Sequence, residues 1–236
     1  MIDIKIYEQP DDETCGPTSL HAVYNYFGHQ IPLEDIIRDV ERSESGGTLA
    51  ALLGNHALKQ GFKTTIYIYN LNIFDPTWFP KGLAENEFLI EKLEAQYLFK
   101  NNPLIKQESL AYISYLKLGG QISFQSLNVD LLKKYFNRNI PILTALSATY
   151  LYRSAREYYV DGHSFLDDVK GTPCGHFVVL CGYDDNHHLV VVADPHPSNP
   201  LHASNYYKVG INRLINSIML GVLTYDANLL IIEPKE

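Results

Sequence analysis

The sequence is short of the features that would place it outside the soluble globular class. No apolar run reaches about eighteen residues, which leaves no segment able to cross a bilayer as a helix. The opening stretch, Met1 to Glu13, has no basic region followed by an apolar core, so it does not read as a secretory signal and a cytoplasmic location is expected by default. Cysteine is sparse and odd in number: Cys15, Cys174 and Cys181 cannot form a disulfide framework, and free thiols are expected. Basic residues are also few, 19 Lys and Arg against 27 Asp and Glu, with a net charge of -8. Without clustered cations to neutralise phosphates, nucleic acid is excluded as a partner, and no membrane partner is expected either. There is no low-complexity tract and no internal repeat.

What remains is a chain of 236 residues, 46% hydrophobic and with 17 tyrosines, long enough to bury a full core as one domain of two lobes. Residues 3–7 alternate like a short strand. Residues 15–28 read as a helix with Pro17 in its first turn and Gly28 as its stop, followed by a helix over 32–42 and a third opened by Gly46-Gly47-Thr48 and ended at Gly61. A strand over 63–69 closes this helical lobe, about 1–62. The stretch from about 70 to 128, punctuated by "FDPTWFPKG" and "NNP", reads as an inserted segment with helices near 85–100 and 107–118. Its stripe of Leu89, Leu93, Tyr97 and Leu98 is read as core. From about 129 to 236 the pattern is that of a sheet lobe: a helix over 128–138, strands at "IPILTAL", 176–183, 188–193 and 225–232, and a helix near 210–220. Helices first and strands later predict an α+β fold with a cleft between the lobes.

Two β-rich runs, Phe177–Tyr183 and Leu189–Ala193, flank the turn-forming Asp184-Asp185-Asn186 and predict an antiparallel hairpin. A turn centred on Asp185 puts His176 directly across from Asp194, with Cβ atoms roughly 5 Å apart, a separation that suits a carboxylate orienting an imidazole. A shift of one residue in the turn spoils direct pairing, although diagonal contact survives it. A buried histidine satisfied by a nearby aspartate is the other reading, and for an arbitrary His–Asp pair taken alone the commoner one.

Cys15 opens the first helix, where the positive end of the helix dipole favours thiolate and makes the sulfur a nucleophile; a small, inert residue at a turn is the other reading. Asp11, Asp12 and Glu13 oppose thiolate formation unless they point into solvent, and they also complement the dipole. Gln9 is either a loop amide without consequence or a side-chain N–H donor to an oxyanion beside Cys15. Ten acidic residues against three basic ones in the first fifty would favour cationic or neutral peptides over polyanions.

Gln9 six residues before Cys15, "TCGPTSL" opening a helix, "GHFVVLCGYD" and "VVVADP" together resemble the bacteriocin-processing, or double-glycine, cysteine peptidases of the papain-like superfamily. The resemblance implies a papain-like fold, with Cys15 on the helical lobe as nucleophile and His176 on the sheet lobe as general base and then acid. Asp194 would be its orienter and Gln9 the oxyanion donor, completed by the Cys15 backbone N–H. No cofactor is implied, and the partner would be a peptide or protein substrate. The motifs that carry the resemblance align no counterpart to residues 70–128, and the transporter portion of the bacteriocin-processing enzymes is not in this sequence.

Three rivals stay open. A zinc site drawn from Cys174, His176, Cys181, His187, His188 and His196 has poor spacing, so no metal is expected. An acyltransferase, transpeptidase or deamidase would use the same acyl-enzyme with a different acceptor. A catalytically silent peptide-binding module would retain the scaffold alone. Cys174 is read as a neighbour of the site, a redox-sensitive thiol or inert packing.

Overall fold

The computed structural model describes residues 1–43, 47–160, 163–224 and 227–235. Along the chain run α1 (Cys15–Tyr26), α2 (Leu33–Asp39), α3 (Ala50–Lys59), β1 (Phe62–Ile68), α4 (Asn86–Lys100), α5 (Pro103–Lys117), β2 (Gln121–Ser123), α6 (Val129–Phe136), β3 (Ile142–Ser147) and α7 (Ala148–Tyr152). They continue with β4 (Glu157–Val160), β5 (His163–Leu166), β6 (Gly175–Asp184), β7 (Leu189–Ala193), β8 (Tyr206–Gly210), α8 (Ile211–Leu220) and β9 (Asn228–Pro234). Seven strands form one sheet in the order β2-β1-β9-β3-β6-β7-β8, while β4 and β5 make a separate hairpin. All pairs in the large sheet are antiparallel except β1 with β2. The α+β class expected from the sequence is that of the structure.

Alternation along the central strands builds two cores. Leu143, Ala145, Phe177, Val179, Cys181, Leu230 and Ile232 face one way, into a cluster with Leu20 and Val23 of α1, Leu53 of α3 and Tyr115 of α5. Ile142, Leu146, Val178, Leu180, Leu229 and Ile231 face the other way, against Leu131 and Leu132 of α6, Leu151 of α7 and Leu214 and Ile218 of α8. A sheet covered on both sides requires apolar residues at successive positions, which is why these strands read as unbroken hydrophobic runs. The same demand falls on α1, buried from Gly16 through Tyr24.

Several expectations need correction. Residues 3–7 join no strand ladder; Ile2, Ile4 and Ile6 are buried at alternate positions, but the segment lies over the sheet and bonds to it only at points, Ile2 N–H donating to the Cys181 carbonyl at 2.8 Å. Leu98 is 74% exposed while Leu89 and Leu93 are fully buried. At 3.6 residues per turn, Leu98 sits about 180° around the helix from Leu89 and cannot share its stripe. The stretch 70–128 supplies β2 to the main sheet as well as two helices, and Leu89, Leu93, Tyr112 and Tyr115 belong to the main core. α7, β8 and the β4–β5 hairpin have no counterpart in the sequence reading. The third helix begins at Ala50; its expected start at Gly46, and the strand start expected at 225, lie outside the described residues.

The α3–α5 crossing depends on an absent side chain. A Cβ on Gly54 would stand 2.5 Å from the ring of Tyr115, itself fully buried and donating its hydroxyl to the Gln121 carbonyl at 3.2 Å. Gly54→Ala is therefore expected to lower stability by about 1–3 kcal/mol in urea denaturation, although alanine is the better helix former. An unchanged or raised midpoint would show that the crossing has slack.

Candidate active site

Cys15 is the first residue of α1, His176 the second of β6, and Asp194 follows the last residue of β7. Cys15 is half-buried, His176 is 7% exposed and Asp194 is fully buried. The His176 Nε2–H donates to Asp194 Oδ1 at 2.7 Å, leaving Nδ1 for the Cys15 side chain, which acts on the ring both as a hydrogen-bond partner and as a charge. The three residues singled out in the sequence are thus brought to one place.

They do not meet in the way the sequence suggested. From the turn, Asp184 pairs with Leu189, Tyr183 with Val190 and Gly182 with Val191; Cys181 is then left over, and the ladder resumes with Leu180 opposite Val192 and Val179 opposite Ala193. Continued in that register, Asp194 lies across from Val178, so His176 is its diagonal neighbour on the same face rather than its direct partner. The bulge decides the face. Without the extra residue Asp194 would stand opposite Val179 and point away from His176, because a slip of one residue exchanges the two sides of a strand.

Cys15 reaches the same point through close packing of α1 on β6. Ser19, one turn along α1, donates its hydroxyl to the buried Phe177 carbonyl at 3.2 Å. Gly16 allows this approach: a Cβ there would stand 2.5 Å from Thr48 Cγ2 and 3.3 Å from the Phe177 ring. In "CGP", then, the glycine brings the helix start against the residue that follows His176, and Pro17 occupies the first turn, where its missing N–H costs nothing.

Asp194 is enclosed by donors. Oδ1 accepts from His176 and from the backbone N–H of His196 at 2.9 Å; Oδ2 accepts from the hydroxyls of Tyr152 and Tyr207, each at 2.7 Å. Burial opposes ionisation of Asp194, yet the His176 ring, the His196 N–H and the Tyr207 hydroxyl hold its pKa down at about 2. Burial likewise opposes a charged imidazole, but Asp194 and Cys15 together raise His176 to about 10. Tyr152 and Tyr207 carry no distinguishing pattern in the sequence, one being the last residue of a five-residue helix and the other one of two adjacent tyrosines on a short strand.

Gln9 is buried in the loop before α1; its side-chain N–H donates to the Asp11 carbonyl at 2.8 Å, and among the described residues its Oε1 has no partner and its second amide hydrogen stays uncommitted. The Gln9 backbone N–H donates to the Pro195 carbonyl at 2.8 Å, tying this loop to the segment just after Asp194. The acidic trio divides its work. Asp11 closes a turn by accepting from the Glu13 backbone N–H at 2.9 Å, Glu13 pairs with Arg42 at 2.8 Å, and Asp12 and Glu13 both line the cleft.

A cavity of about 500 Å³ adjoins Cys15 and His176, walled by Asp12, Thr48, Leu146, Glu157, Cys174 and Thr224 among others. Gln9 lies outside this wall. Cys174 is a wall residue whose thiol is pushed up by burial and by the neighbouring Glu157 carboxylate. Cys181 is buried in the sheet, and His187 and His188 are exposed at the hairpin turn. Among the described residues no three His, Cys, Asp or Glu side chains converge as metal ligands, and no helix is long and apolar enough to cross a membrane.

A helix-borne cysteine facing a histidine on the sheet, with a carboxylate behind it, is the arrangement that the resemblance noted in the sequence implies. The chain belongs to the Peptidase_C39-like family, whose model matches residues 1–215. Its fold is similar to that of a double-glycine-motif protease from an AMS/PCAT transporter, solved with its leader peptide (16% identity, 99% of this chain and 94% of that one, TM-score 0.47). It is similar also to the peptidase domain of Streptococcus ComA (13%, 98% and 98%, 0.46) and to xylellain, a cysteine protease from Xylella fastidiosa (13%, 100% and 85%, 0.45). No curated protein matches the sequence.

The two shifted pKa values give the pair a pH signature. His176, raised in the fold, contributes stability in full below its ordinary value of 6.5 and loses it as pH rises through about 10. Asp194, depressed in the fold, contributes in full above 3.8 and loses it as pH falls toward 2. Asp194→Asn should therefore cost about 1.5–3 kcal/mol between roughly pH 4 and 6.5, with the gap to wild type closing on either side. Denaturant titrations across pH measure it, and a gap independent of pH would contradict the assignment.

Proposed function

We propose that the protein is a cysteine peptidase that cleaves a peptide or isopeptide bond through an acyl-enzyme on Cys15. The observation that carries this reading is the chain of contacts from Cys15 to His176 to a fully buried Asp194, opening on a cavity. Family membership supports it.

In the resting state His176 holds a proton between Asp194 and the Cys15 sulfur. The sulfur attacks the substrate carbonyl carbon, forming the C–S bond and placing negative charge on the carbonyl oxygen. The Cys15 backbone N–H at the start of α1 and the uncommitted Gln9 amide hydrogen are the proposed donors to that oxyanion. As the oxyanion collapses, the C–N bond breaks and His176 passes its proton to the leaving amine. Water then attacks the thioester while His176 takes its proton; the C–S bond breaks, and the acid product and the thiolate are released. Asp194 stays ionised throughout and fixes Nε2 as the protonated nitrogen, so that Nδ1 always faces the sulfur. A peptide amine in place of water would convert hydrolysis into acyl transfer on the same residues.

Iodoacetamide labelling read by mass spectrometry tests the nucleophile: Cys15 is expected to react well before Cys174 and Cys181, and Cys15→Ala to abolish hydrolysis of every peptide that wild type cleaves. Equal labelling of the three thiols, or turnover by Cys15→Ala, would sink the reading. Gln9→Ala is expected to lower kcat by roughly a hundredfold with an unchanged melting temperature. A loss confined to KM would assign Gln9 to substrate binding instead.

A further inference from the structure

A carboxylate offers about four acceptor positions, and in Asp194 all four are filled from within the protein. His176 and the His196 backbone take Oδ1, while Tyr152 and Tyr207 take Oδ2. The residue has no exposed surface, so water has no place in this arrangement. The two phenols come from separate elements, the last residue of α7 and the second of β8. Each has a single hydrogen to give, and both give it to the same oxygen.

We propose that Tyr152 and Tyr207 are positioning residues of the site: their hydroxyls hold Asp194 in the one orientation in which Oδ1 meets His176, and they set how strongly it does so. Two charge-assisted bonds on Oδ2 draw negative charge away from Oδ1 and so temper its pull on the Nε2–H. The phenols are suited to this because burial and the Asp194 charge push both far above the ordinary tyrosine range, so they remain donors at every pH at which the protein is folded. Packing alone would ask only for two aromatic rings here, and would not need both hydroxyls on one oxygen.

The titratable groups around this pair are few. His176 faces Cys15 of α1 and Asp194, with the Tyr152 and His196 rings 6.1 Å away, centroid to centroid. Beyond them, Arg213 of α8 acts on Tyr207, and Asp12 and Glu157 act on His196. His196 is lowered by burial and by its neighbour His176.

The inference rests on the peptidase reading for its consequence in catalysis, but its test does not need turnover. In protein labelled with ¹⁵N-histidine, Tyr152→Phe and Tyr207→Phe should each move the His176 Nε2–H resonance downfield and raise the His176 pKa by roughly half a unit or more, the double variant further. The basic limb of the Cys15 alkylation profile should shift with it. Site-specific 3-fluorotyrosine at position 152, a stronger donor of the same shape, should move resonance and pKa the other way, and it serves equally should a phenylalanine variant fail to fold. In an Asp194→Asn background neither replacement should have any effect on His176. A loss of thermal stability with the His176 resonance and titration unchanged would overturn the proposal, as would fluorotyrosine and phenylalanine shifting them in the same direction. An unreactive Cys15 would refute the peptidase reading and leave this one standing; a reactive Cys15 beside an indifferent His176 would do the reverse.

Discussion

The bond between His176 and Asp194 is the constraint on which the rest of the site depends. It joins an imidazole near the start of one strand to a fully buried carboxylate just past the end of the next, and it exists because one residue, Cys181, is left out of the ladder between them. A hairpin without that bulge would turn the carboxylate to the other face of the sheet, and burial would leave it without a cation. The N-terminal segment closes the irregularity, with Ile2 donating to the carbonyl the bulge leaves over. The segment that reads as a strand is therefore used as a brace.

Around this bond the protein arranges a succession of buried supports. Ser19 and Gly16 lock α1 against β6, which fixes Cys15 relative to His176. The Gln9 loop is bonded to the chain just after Asp194, so the proposed oxyanion donor and the orienting carboxylate share one anchorage. Asp11 is engaged in a turn and Glu13 in an ion pair with Arg42, while Asp12 and Glu13 both line the cleft.

Much of this was legible beforehand. The helix opened by "CGPTSL", the central strands and the pairing of β6 with β7 follow from periodicity and turn residues, because a core strand must be apolar and a hairpin must turn on residues such as Asp and Asn. Less legible were elements whose identity rests on neighbours. β8 follows a run rich in turn formers and becomes a strand only because β7 offers it an edge, and α7 is a single turn stabilised by its surroundings. Leu98 misled because its spacing matches a helix while its phase does not.

The sequence by itself determined the family of the protein and the hairpin that carries His176, and it marked Cys15, His176 and Asp194 as candidates, since these depend on local pattern and on short motifs. Only the tertiary structure decided the register that puts Asp194 on the face of His176, the two tyrosines that complete its shell, and the separate fates of Asp11, Asp12 and Glu13. A bulge costs one unpaired residue and leaves almost no trace in composition, and a phenol becomes a donor to a distant carboxylate only when two layers of structure close over both.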